Sequence, residues 1–284
     1  MIASGFAAQG AKVYISSRKA DACDATARRI ADAYGAACVS LPADLSKLEG
    51  VQSLARRLAE REPKLDILVN NAGAAWGEAI DTFPEAGWDK VMDTNVKAVF
   101  FLTQALLPQL RAAAAGASPA RVINIGSIDG IRAATFETYS YGASKAAVHH
   151  LTRFLAARLT KERILCNAIA PGPFPTWMLS TGVGFGGKTE GVDWDAVGGR
   201  SPSGRVGTPE DVAGLATFLS SRAGEYVVGQ VIALDGGIVN SIPLDRARKL
   251  GATRVFVLQV GRIEQSLTVP RRPWQVAQVA FEVA

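Results

Sequence analysis

The stretch LDILVNNAG, residues 65–73, decides the fold. Its first half is apolar except for Asp66, and its second half is polar and closes in a glycine-containing turn. A short apolar run bounded by a turn reads as a strand buried on both faces, the kind that parallel sheets contain. Upstream, Ser46 is placed to cap a helix running to about Glu62, and ACVSLPADLS (37–46) supplies a short strand and a loop. Further back, KVYIS (12–16) is a strand followed by a helix from about Asp21 to Tyr34. Downstream come a helix around Trp88 to Leu107, the strand ARVINIGS (120–127) and a helix from about Ser140 to Leu159. ILCNAIAPG (164–172) is the next strand. A helix opened by Pro209 then runs to about Ser220, before a last strand in QVIALDGG (230–237).

Apolar strands alternating with amphipathic helices predict an α/β fold, a doubly wound parallel sheet of Rossmann type. Residues 176–206 break the rhythm. They are glycine-rich, lack periodicity and carry Trp177, Phe185 and Trp194, which suits a lid. Composition agrees with a globular chain: 48% hydrophobic and 20% charged residues. No apolar run approaches the roughly 18 residues of a membrane span, and the N-terminus has no signal-peptide pattern. A cytoplasmic location is the expectation, with no membrane partner. Cys23, Cys38 and Cys166 are widely spaced and read as reduced core thiols. The net charge of +5 does not mark a nucleic-acid binder, because residues 241–284 hold seven Lys/Arg against three Asp/Glu and the remainder is nearly neutral.

Chemistry gathers at the ends of the strands. In YSYGASK, Tyr141 and Lys145 are four residues apart and share a helix face. An ammonium beside a phenol stabilises the phenolate, lowers its pKa and fits it for proton transfer. Ser127 ends the strand RVINIGS, 14 residues earlier. NNAG (70–73) ends the preceding strand, Asn95 lies in the helix between, and PGPFPT (171–176) ends the following strand. Sheets of this type place their ligands at that carboxyl edge.

These motifs together resemble the short-chain dehydrogenase/reductase family over about residues 1–239. The resemblance implies that Tyr141 is the general acid/base, and that Lys145 lowers its pKa and holds the nicotinamide ribose. It implies further that Ser127 hydrogen-bonds the substrate carbonyl and that Asn95 supports a proton-relay water. Asn71, Ala72 and Gly73 would line the cofactor, Pro171, Gly172 and Thr176 would flank the nicotinamide, and Asp44 would contact the adenine. The residues after the second strand of such folds choose between cofactors. Here ISSRK offers Ser17 and Arg18, with Lys19 nearby and no acid before Asp21, which selects NADP(H). LDILVNNAGAAWG, WDKVM, PARVINIGSIDGI and YSYGASKAAVHHLTR resemble beta-ketoacyl reductases of the kind linked to rhamnolipid synthesis. The implied reaction is hydride transfer between NADP(H) and a 3-oxoacyl thioester, by a homo-oligomer (tetramer or dimer). An apolar lid also suits steroids or quinones. His149 and His150 read as surface or subunit-contact residues. They lack a third ligand at metal spacing, so no metal is expected.

Both ends depart from the family. The phosphate-binding turn T-G-x-x-x-G-x-G is not in the sequence, and Met1 aligns just after its last glycine. The expectation is an N-terminally truncated domain, 1–240, lacking its first strand and Gly-rich turn, with a foreign tail, 241–284. The tail resembles the C-terminal end of patatin-like phospholipases without their nucleophile or acid motif. Its RVFVLQV (254–260) has the pattern of a buried strand that could fill the central slot. The rival to an active enzyme is a catalytically impaired remnant that serves as a non-enzymatic binding protein.

Overall fold

The computed structural model describes residues 1–134, 136–181 and 192–237. Phe185 and the tail 241–284, including residues 254–260, lie outside the described residues. In chain order the elements are α1 (Ile2–Ala8), β1 (Val13–Ile15), α2 (Ala20–Tyr34), β2 (Cys38–Ser40), α3 (Leu48–Ala59) and β3 (Ile67–Asn70). There follow α4 (Glu85–Met92), α5 (Ala98–Ala105), α6 (Leu107–Ala114), β4 (Ala120–Ile125), α7 (Tyr139–Leu159) and β5 (Ile164–Pro171). Two short helices, α8 (Trp177–Thr181) and α9 (Trp194–Gly198), precede α10 (Pro209–Ser220) and β6 (Val231–Leu234).

Every strand pairing is parallel. β1 pairs with β2, and β3, β4, β5 and β6 pair in that order. The sheet is therefore in two pieces, β1–β2 and β3–β4–β5–β6. Burial follows the pairing. β4 is buried from Ala120 to Asn124 and β5 from Ile164 to Ala170, whereas the three residues of β1 are half-buried.

Side chains alternate across the strands and build one core on each face. On one face Val122 of β4 and Cys166 of β5 join Leu54 and Leu58 of α3 and Leu102 of α5. On the other, Ile123 and Ile169 join Ala216 and Leu219 of α10, with Ile2 and Phe6 of α1 against them. The α3 sequence dictates its side: Val51, Leu54, Ala55 and Leu58 recur at helical spacing and are buried. In α10, Pro209 occupies the first turn, and the Thr208 N–H and hydroxyl both donate to Asp211, at 2.8 and 3.1 Å.

Two local expectations change. Ser46 does not cap α3; its hydroxyl donates to Asp44 Oδ1 at 2.7 Å, and Lys47 takes the cap position. The helix expected over 88–107 begins earlier, at Glu85, and is interrupted by a π turn at Asp93–Lys97. Asn95 causes the interruption to matter, because its side chain turns inward to the Ala74 backbone. A new helix then starts at Leu107, with Pro108 in its first turn, where a missing N–H costs nothing.

Candidate active site

Beneath the carboxyl edge, a buried polar ladder ties the strands to the helices. Asn70 donates to Asn124 Oδ1 at 2.8 Å and to the Thr103 hydroxyl at 3.1 Å, and Asn124 donates to the Thr152 hydroxyl at 2.9 Å. Thr103 and Thr152 return their protons to Val99 and Val148 carbonyls, so α5 and α7 are locked to β3 and β4. Satisfied networks of this kind hold one arrangement, since any slip strands buried polar groups.

Above the ladder, Asn95 accepts from the Ala74 N–H at 2.7 Å and donates to the Ala74 carbonyl and the Ser144 hydroxyl, each at 2.9 Å. Both amide hydrogens and the side-chain carbonyl are engaged, so this side chain anchors the turn after β3 to α7. Gly73 lies in that turn. A methyl at Gly73 would stand 3.6 Å from Asn95 Oδ1, 3.8 Å from Lys145 Nζ and 3.8 Å from Met178 Cε, filling a cradle beside the lysine. Asn71 and Ala72, in the same turn, are exposed.

Lys145 is buried, and its ammonium donates to the Ile125 carbonyl at 2.8 Å. Burial pushes its pKa down to about 8. It stands 5.5 Å from the centre of the Tyr141 ring. The phenol is raised, not lowered as the spacing suggested. Burial raises it, a hydrogen bond with the Ser127 side chain pulls it down, and the Asp129 carboxylate raises it further. Ser127 Oγ accepts from the Asp129 N–H at 3.2 Å, which orients the hydroxyl. Asp129 is itself raised, chiefly by burial.

A second cluster forms where β1 and β2 end. The Ala43 N–H donates to the Ser17 carbonyl at 3.1 Å, which brings Ser17 and Arg18 beside Asp44. The Ser46 hydroxyl holds the Asp44 carboxyl below the usual range, and the Arg18 charge adds to this. Ser17, Arg18 and Lys19 are exposed. Pro171 and Gly172 end β5, and the Thr176 hydroxyl accepts from the Leu179 N–H at 3.3 Å at the start of α8. From α8, Trp177 faces the Lys19 ammonium at 6.0 Å and Met178 reaches Gly73.

Sequence reasoning missed Asp129 and misplaced one histidine. His150 is exposed and stacks edge-on against Phe154, as a surface residue would. His149 is buried at 3% exposure, and the Ser127 N–H donates to its Nε2 at 3.4 Å. The missed signal was its spacing, four residues beyond Lys145 and eight beyond Tyr141 on one helix face. Among the described residues no group of three His, Cys, Asp or Glu is placed to hold a metal, and no helix is long and apolar enough to cross a membrane.

A doubly wound sheet with serine, tyrosine and lysine converging at its carboxyl edge defines an oxidoreductase of the α/β class. The chain belongs to the short-chain dehydrogenase/reductase family. The family profile described as "Enoyl-(Acyl carrier protein) reductase" matches residues 1–239. The chain is 48% identical over 237 residues to the rhamnolipids biosynthesis 3-oxoacyl-[acyl-carrier-protein] reductase of Pseudomonas aeruginosa, covering 84% of this chain and 90% of that protein. The Pseudomonas aeruginosa RhlG/NADP active-site complex matches with a TM-score of 0.76 at 47% identity, over 83% of this chain and 90% of that one. The L-sorbose reductase of Gluconobacter frateurii, solved with NADPH and L-sorbose, matches with a TM-score of 0.74 at 28% identity, over 85% and 92%.

Proposed function

We propose that this chain reduces the ketone of a 3-oxoacyl thioester with NADPH. The observation that carries the reading is the convergence of Ser127, Tyr141 and Lys145 at one strand edge, with the phenol held in its protonated form. A ketone reduction needs a proton donor at the oxygen, and a raised phenol is that donor across neutral pH. The name of the Pseudomonas relative supports the substrate class, and an apolar α8 beside the centre supports an acyl chain.

The residues present fit the nicotinamide-ribose and adenosine ends of a nicotinamide dinucleotide. The Gly73 cradle beside Lys145 suits the nicotinamide ribose, and the Ser17–Arg18 donors suit a 2′-phosphate, with Asp44 at the adenine. Asn71, Ala72, Pro171, Gly172 and Thr176 are proposed to line the nicotinamide half. When bound, NADPH supplies the hydride. On the protein side, Ser127 and Tyr141 hydrogen-bond the ketone oxygen, Tyr141 gives it a proton, and Lys145 holds the nicotinamide ribose. Asn95 keeps the β3 turn in register with α7. The assembly is proposed to be a homo-oligomer, tetramer or dimer; Phe100 and Phe154, exposed on α5 and α7, suit such a contact.

The test is a fluorescence titration of the 284-residue chain with NADPH, followed by turnover of a 3-oxoacyl thioester. Saturable binding and turnover are expected, with Tyr141→Phe losing about 10²–10⁴-fold in kcat at nearly unchanged NADPH affinity. No saturable binding overturns the enzymatic reading for this chain.

A further inference from the structure

We infer that His149 is a positioning residue that holds Ser127 against Tyr141, a role that rests on the proposed reading of those two residues. One helix face of α7 carries Tyr141, Lys145 and His149 at four-residue steps. The imidazole of His149 reaches from that face into the turn after β4. On one edge Nε2 accepts from the Ser127 N–H at 3.4 Å. The Gly130 backbone, in the same turn, favours the protonated ring. Burial, together with the charges of Lys145 and Arg153, outweighs this and lowers the pKa, which favours the neutral ring whose Nε2 accepts.

At 3.4 Å the Ser127 contact is long, and the ring fixes the turn both by its shape and by offering that N–H its acceptor. Two glycines show how tight the fit is. A Cβ at Gly126 would stand 2.1 Å from His149 Nε2, and one at Gly130 would stand 2.8 Å from its Cε1 and 2.6 Å from the Lys145 carbonyl carbon. The Gly126 N–H is pinned on its far side to the Ile169 carbonyl at 2.7 Å. The turn cannot move toward α7 without striking the ring, and moving away leaves a buried Ser127 N–H without its acceptor. His149 thus sets the distance between the serine on one element and the tyrosine on the other.

The experiment compares His149→Leu, which keeps volume and removes the acceptor, with His149→Gln, whose side-chain carbonyl can accept from the Ser127 N–H. In His149→Leu, kcat for the thioester is expected to fall about tenfold or more while NADPH Kd changes less than about twofold. His149→Gln is expected to recover most of the loss. ¹⁵N NMR of the wild-type imidazole is expected to show a neutral ring protonated at Nδ1 alone, a readout independent of turnover. The inference is overturned if His149→Leu keeps wild-type kcat, if His149→Gln is as impaired as His149→Leu, or if the ring proves charged or protonated at Nε2. Should the wild type bind NADPH yet not reduce the thioester, the substrate reading falls and His149 is judged on the Ser127 amide. Its hydrogen exchange should then accelerate in His149→Leu and not in His149→Gln; equal exchange in both overturns the inference.

Discussion

The ammonium of Lys145 donates to the carbonyl of Ile125, the last residue of β4, at 2.8 Å. The bond places a buried positive charge two residues before Ser127 and one helical turn after Tyr141. Burial is the dominant influence on it and brings the pKa to about 8.

A pH dependence follows for activity. As pH rises through about 8, Lys145 loses its proton and the positive charge 5.5 Å from the Tyr141 ring disappears. Initial rates across pH 6–10 should show an alkaline limb near that value, and Lys145→Met should lose about 10²-fold or more in kcat. A flat profile to pH 10 would contradict the assignment.

The same shift predicts a stability effect. The folded pKa lies below the unfolded value of 10.5, so between about 8 and 10.5 the unfolded chain binds more protons and stability rises with pH. The full gain is about 3 kcal/mol. Denaturant unfolding at pH 7 and pH 10 measures it, and Lys145→Met should remove the contribution.

The buried ladder under the site predicts a large cost for one deletion. Asn124→Ala strands the Asn70 amide and the Thr152 hydroxyl and opens a cavity, for about 2–4 kcal/mol. Chemical denaturation with a change below about 0.5 kcal/mol would mean that the ladder holds nothing.

Arg18 predicts cofactor choice. Arg18→Ala should weaken NADPH binding by about tenfold or more while leaving NADH nearly unchanged if, as proposed, the guanidinium meets the 2′-phosphate and not the unsubstituted ribose. Parallel titrations with the two nucleotides measure the ratio. Equal weakening of both would show that Arg18 does not read the phosphate.

Asp211 predicts acid sensitivity. Arg205, paired with it at 2.5 and 2.9 Å, and the Thr208 N–H hold its carboxyl far below the usual range. A depressed carboxyl contributes stability above its unfolded pKa near 3.8, and this is lost as pH falls below that value. Asp211→Asn should cost about 1 kcal/mol at pH 7 and less at pH 3, which thermal melts at the two pH values would record.

Much of this was legible in one dimension. Burial on both faces makes a parallel strand apolar throughout, so LDILVNNAG and ILCNAIAPG declared their positions. The polar clusters that follow them mark the carboxyl edge, where Asn95, Ser127, Tyr141 and Lys145 gather as expected. Residue spacing along α7 also put Tyr141 and Lys145 on one face. That the phenol is raised rather than lowered was not legible, because its largest cause is burial, which only the packing around Tyr141 sets.

By itself, then, the sequence determined the element order, the parallel doubly wound architecture and the residue types at the strand ends, since periodicity and turn chemistry are local. The tertiary structure alone decided what depends on partners distant in sequence. It engaged Asn95 with Ala74 and Ser144, 21 and 49 residues away, and it turned Ser46 from a helix cap into a donor to Asp44. It also buried His149 in the turn that carries Ser127, 22 residues before it in the chain. A side chain's protonation and its role follow from what surrounds it in space, and packing alone supplies those surroundings.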